Sequence, residues 1–122
     1  MSIKVKRVYD APSSDDGFRI LVDRIWPRGL STESAGVDLW MRDVAPSTEL
    51  RHWFNHETEK WPEFRIRYER ELRDHGELLD LILDTERHRG GVTLLFGAHD
   101  VEHNEAIVIA ETLAERPAHA HR

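Results

Sequence analysis

The chain has 122 residues, 39% hydrophobic and 33% charged, with four Trp, four Phe and no Cys. That length suits one domain with one continuous core, and the missing thiols exclude disulfides, a cysteine nucleophile and cysteine-based zinc or iron–sulfur sites. The formal net charge of −6 opposes the counterion-release binding expected of a duplex nucleic-acid binder, so no nucleic acid is expected as a partner.

Residues 3–9 alternate apolar with charged side chains and read as a strand. The loop 10–17 (DAPSSDDG) follows, then a short apolar run over 18–23 that is expected to be extended. Pro27 biases Trp26 away from helix, and Gly29 permits a turn. Ser31 or Thr32 can cap a helical turn over 32–36. Residues 37–44 read as a further strand with Val37, Leu39 and Met41 on one face. Ser47 is a good N-cap for a helix through Leu50, Trp53 and Phe54. The next helix starts near Lys60 with Pro62 in its first turn. Trp61, Phe64, Tyr68 and Leu72 share one face there, and Gly76 is placed as the stop. Another helix carries Leu78, Leu79, Ile82 and Leu83 and ends at Gly90–Gly91. The continuous apolar run 92–96 (VTLLF) reads as a buried parallel strand. The last helix presents Ala106, Ile107, Ala110 and Leu113, and residues 117–122 are expected to fray.

Strands alternating with helices imply an α/β fold. The expectation is a single three-layer domain over residues 1–116, with a small, mainly parallel sheet flanked by helices. No stretch approaches the length of a membrane span. The opening MSIKVKRVYD lacks the apolar run of a secretion signal, so a cytoplasmic protein with no membrane partner is expected.

Ligands of such folds sit beyond the carboxyl ends of the strands, and three polar segments leave there. In 23–29, Arg24 and Arg28 flank Trp26 and could meet a planar or anionic ligand, with Asp23 beside them. The plainer reading is an Asp–Arg24 salt bridge and a core Trp. In 45–51, the helix start at Ser47 offers free N–H groups, and Arg51 lies one turn on; an ordinary cap is the alternative. In 99–104, His103 and Asp100 could move a proton, while Asp100 or Asn104 caps the helix. His52/His56 and His99/His103 have the spacing of metal pairs. The mark of an HExxH helix is absent, so no metal ligand is assigned, and no cofactor is specified.

The blocks VDRIWPRGL (22–30), APSTELRHWFNH (45–56), EFRIRYEREL (63–72) and VTLLFGAHDVEHNEAIVIAETL (92–113) resemble the YeaO-like family, a domain of unknown function (DUF488). The resemblance spans about nine-tenths of the chain. It implies that Asp23, Arg24, Trp26, Arg28, Ser47, Arg51, His56, Asp100, His103 and Asn104 belong to the family's motif. Phe96–Gly97 stands where the family commonly shows Tyr–Ala, which argues against tyrosine chemistry at position 96. The family supplies no agreed reaction. Three readings follow from the residues. The first is a small enzyme acting on an anionic or nucleotide-like molecule. In it Arg24, Arg28, Ser47, Arg51 and Asn104 bind, Trp26 stacks, and Asp23, His56, Asp100 and His103 serve as acid–base groups. The others are a non-catalytic anion-sensing module and a metal-dependent hydrolase.

Overall fold

The apolar run Val92–Phe96 is buried at every position, as a central parallel strand must be when both its faces meet other layers. The computed structural model describes residues 2–116; the tail 117–122 lies outside them. The strands are β1 (Ile3–Arg7), β2 (Phe18–Leu21), β3 (Leu39–Trp40) and β4 (Val92–Phe96). The helices are α1 (Thr32–Ala35), α2 (Thr48–Phe54), α3 (Trp61–Arg73), α4 (Gly76–Arg89) and α5 (Glu105–Glu115). Strand order is β1-β4-β2-β3, and each pair is parallel. β4 thus lies between β1 and β2, with Leu94 opposite both Val5 and Ile20.

The period-two alternation of the strands divides the core. Ile20, Val22, Leu94 and Phe96 pack with residues of α2–α5, among them Tyr68 and Ile109. Leu21 and Leu95 face the opposite way and are covered by Ala35 of α1 together with Trp26 and Trp40. The domain is therefore α/β with a parallel sheet between unequal layers: four helices on one side, and one helical turn with its flanking loops on the other.

Three local expectations are corrected. The strand foreseen over 37–44 pairs only at Leu39–Trp40. Met41 N–H makes a last bond to Leu21 O at 2.8 Å, and the chain then turns through the 3₁₀ segment Arg42–Val44, because β2 offers no further partner. Gly76 does not stop α3. That helix ends at Arg73, and Gly76 opens α4. In α5 the buried residues are Ala106, Val108, Ile109 and Leu113, a wider face than the stripe 106, 107, 110 and 113, because α5 is packed between the sheet and α3.

Two polar devices hold this frame. At the starting ends of the strands, Asp16 and Arg19 form an ion pair with both side chains 5% exposed, and Lys6 joins at 3.0 Å. Arg19 also donates to Ala35 O and Gly36 O at 2.8 and 2.9 Å, and Thr93 Oγ1 donates to Asp16 O. One cluster thereby ties β1, β2, β4 and α1 together. Burial alone would raise the Asp16 carboxyl, but the Ser13 N–H, Lys6 and Arg19 outweigh it and hold it below the usual range. The second device is the start of α2. Ser47 Oγ accepts from Leu50 N–H at 3.1 Å and donates to Glu71 Oε2 at 2.6 Å, while Ser47 N–H donates to Glu71 Oε1 at 2.8 Å. The cap read from sequence is present, and α3 clamps it.

Asp16→Asn leaves Arg19 buried without its counter-charge and is expected to cost about 3 kcal/mol or more in urea unfolding at neutral pH; a loss under about 1 kcal/mol contradicts the role given to the pair. The lowered folded pKa means that this stabilisation is complete above the unfolded carboxylate range and is lost as pH falls through the folded value. Asp16→Asn should therefore flatten the acid limb of the stability profile. Ser47→Ala removes a cap and a charge-assisted bond together, so a loss of about 2 kcal/mol is expected. Ser47→Thr should recover most of it.

Candidate functional site

A cleft of about 850 Å³ opens at the carboxyl ends of the strands, where open parallel sheets place their ligands. Segments leaving β1, β2 and β4 line it with Tyr9, Asp23 and Gly97, and α2 and α5 add Arg51 and Glu105. Of the residues assigned from sequence, Asp23, Arg24, Arg28, Arg51, His56, Asp100, His103 and Asn104 all line this one cleft. Trp26 and Ser47 are absent from its lining.

Asp23 lies at its floor. Gly97 N–H donates to Asp23 Oδ2 at 2.9 Å, joining the end of β4 to the end of β2. Glycine makes this approach possible: a Cβ at position 97 would sit 2.8 Å from the same oxygen. The other oxygen, Oδ1, is buried and has no N–H or O–H partner. Glu105, the first residue of α5, lines the same cleft. Burial pushes the Glu105 carboxyl well above the ordinary range; the Asp23 contact and charge push it further, against the opposing pull of Arg51. Sequence reading missed Glu105, since an acid in the first turn of a helix has a ready local explanation in the helix dipole.

The guanidinium groups differ in how they are held. Arg24 donates to Ala45 O and Pro46 O at 3.1 and 3.4 Å, which fixes the loop before α2 and leaves no Asp23–Arg24 ion pair among the described residues. Arg51 makes a long 3.4 Å contact from Nη2 to Thr48 Oγ1, and its Nε is buried without an acceptor. Arg28 is exposed on the cleft rim.

Asp100 Oδ2 meets His103 Nδ1 at 2.9 Å, and Trp61 stands edge-on to the imidazole at 5.1 Å between centroids. The Glu102 N–H, followed by the His103 side chain, holds the Asp100 carboxyl below its ordinary range. An ionised Asp100 accepts the Nδ1 proton, so Nε2 is the acceptor in neutral His103. Asn104 caps α5, accepting from Ile107 N–H and donating to Asp100 O; both ends of its amide are taken by protein. His56 follows the αL cap Asn55 and is itself left-handed, with φ of 47° and 56° respectively. His52 and His56 therefore do not share a helix. Among the described residues no group of three His, Asp or Glu is placed to hold a metal, and His52, His56 and His99 are exposed.

Two residues expected at the ligand serve the fold around it. Trp26 donates from Nε1 to Leu30 O at 2.8 Å and packs edge-on against Trp40. Trp40 in turn donates to Asp23 O at 2.7 Å, so the tryptophan pair supports the Asp23 backbone from beneath. Ser47 spends its hydroxyl on Glu71. Phe96 is a core residue at 1% exposure.

Comparison with known proteins agrees with the residue pattern. Uncharacterised proteins Rv3073c of Mycobacterium tuberculosis and Mb3100c of Mycobacterium bovis are each 42% identical to this chain over 114 residues, covering 93% of it and 95% of the relative. Uncharacterised protein YeaO of Escherichia coli is 40% identical over 113 residues, 93% of this chain and 97% of its own. No solved structure matches. Residues 2–121 match a family model described as the inactive DUF488-N3 subclade, and the chain belongs to that DUF488 family.

Proposed function

We propose that the chain is a non-catalytic module, cytoplasmic in setting, that binds a small anionic ligand in the cleft. The observation that carries this reading is Arg51, a guanidinium lining the cleft with a buried Nε that no protein acceptor satisfies. A buried donor without a partner is costly, and an anion is the partner that suits a guanidinium best. Arg24 and Arg28 add positive charge to the same cleft. The Ser47 hydroxyl is committed to Glu71, and the chain has no Cys. The family description as an inactive subclade supports binding over turnover.

A second reading, a small enzyme acting on an anionic or nucleotide-like substrate, draws on a specific geometry. Asp100 orients His103 so that Nε2 can accept a proton, the arrangement of a general base. Incubating the protein with nucleoside monophosphates and other phosphate esters separates the two. Ligands recovered unchanged favour the module. A product that disappears in His103→Ala favours the enzyme.

Binding is tested with sulfate and a nucleoside monophosphate by calorimetry. Arg51→Gln is expected to weaken binding about thirtyfold, the equivalent of roughly 2 kcal/mol for a charge-assisted hydrogen bond, while leaving the melting temperature of the free protein within a few degrees. Equal affinity in Arg51→Gln would refute the reading.

A further inference from the structure

We propose that the cleft takes a zwitterion, an organic anion that also carries an ammonium group, with Asp23 as the seat of the cation and Arg51 as the seat of the anion. The proposal deepens the anion-binding reading and rests on it for the Arg51 half. Two side-chain atoms of cleft-lining residues are buried without a partner, and their chemistry is opposite: Arg51 Nε is a donor and Asp23 Oδ1 an acceptor. A bare anion satisfies the first atom and leaves the second as it was. A ligand that satisfies both has to bring an acceptor to one and a donor to the other.

The carboxylate calls for a charged donor. Among the described residues no ion pair joins Asp23 to a cation, although Arg24, Arg28 and Arg51 line the same cleft. The Gly97 N–H holds the carboxyl by Oδ2 at 2.9 Å, so Oδ1 is the oxygen left for a ligand. An ammonium there makes a charge-assisted bond, about twice as strong as one between neutral groups. Asp100 is a poorer seat, because it already accepts from the Glu102 and His103 N–H groups and meets the His103 ring. On the other side, Arg24 spends donors on Ala45 O and Pro46 O, which leaves Arg51 for the anion. The cleft volume of about 850 Å³ lies in the range of sites for organic small molecules, about 300–1,000 Å³. Buried Phe54 and Phe64 also line it and offer apolar surface to the carbon chain that joins the two charges. The cleft holds opposite charges without pairing them, as recognition of a zwitterion requires.

Two matched pairs of probes test the proposal by calorimetry at neutral pH: taurine against ethanesulfonate, and 3-aminopropanesulfonate against propanesulfonate. Members of a pair share the sulfonate and the chain length and differ in the ammonium group. For at least one pair the wild-type protein should bind the aminosulfonate on the order of tenfold tighter, the scale of one charge-assisted hydrogen bond. Asp23→Asn keeps an oxygen for the Gly97 N–H and replaces the other by an amide donor, so it should bring the ratio to within about twofold. Arg51→Gln should weaken both members of a pair and keep their ratio. The Gly97 amide resonance of the wild-type chain reports on the same carboxyl without any substitution. It should shift more with the aminosulfonate than with the plain sulfonate, and equal shifts overturn the assignment to Asp23. A preference that survives in Asp23→Asn overturns it as well. Equal affinities within both pairs, in a protein that binds sulfate, overturn the zwitterion and leave the anion reading standing. Absence of saturable binding by sulfate and all four probes overturns both. Aminosulfonate binding with sulfate and the plain sulfonates too weak to measure upholds the proposal.

Discussion

The insertion of β4 between β1 and β2 is the constraint on which the rest of the molecule depends. β4 takes backbone hydrogen bonds from both neighbours and is buried at all of its positions, so its sequence has to be apolar throughout. Its placement brings the ends of β1, β2 and β4 side by side, and the segments that leave those ends become the walls of one cleft. The starting ends are closed by the Asp16–Arg19–Lys6 cluster. The exit ends are joined by a single backbone-to-carboxylate bond from Gly97 to Asp23. At the closed end neither Asp16 nor Arg19 has a buried polar atom without a partner. The open end retains Asp23 Oδ1 and Arg51 Nε without donor or acceptor.

Buried polar groups in native proteins are nearly always satisfied, and the Asp16 cluster obeys the rule through at least five contacts. The cleft departs from it at two atoms of opposite chemistry, an acceptor and a donor. The same cleft holds an acid–base couple, Asp100–His103, and two further carboxyls, Asp23 and Glu105. Chemistry of this kind suits recognition of a charged small molecule, and it retains the parts from which a catalyst could be built. A subclade described as inactive is consistent with a site that keeps its binding groups without a nucleophile.

Much of this was legible in the sequence where the cause is local. The run 92–96 announced a buried strand, and the caps Ser31, Ser47 and Asn104 each accept the N–H that their position requires. The three polar segments could be assigned to one sheet edge because parallel sheets have one functional end. What stayed hidden depends on partners far along the chain. Ser47 was recognised as a cap, but nothing near it reveals that Glu71, twenty-four residues on, consumes the hydroxyl. Trp26 beside Pro27 looks like a platform for a ligand until Trp40 takes its edge. Glu105 was overlooked because the helix dipole explains an acid at that position without reference to Asp23. The short β3 and the opening of α4 at Gly76 were misjudged for a similar reason: where a strand loses its partner is a property of the sheet, not of the strand.

A crystal structure of the protein grown with sulfate is the most direct test of the cleft as a binding site. A sulfate is expected within hydrogen-bond distance of the Arg51 guanidinium, taking the Nε–H that has no protein acceptor. An empty cleft at saturating sulfate, with Arg51 paired to a protein acceptor, would contradict it.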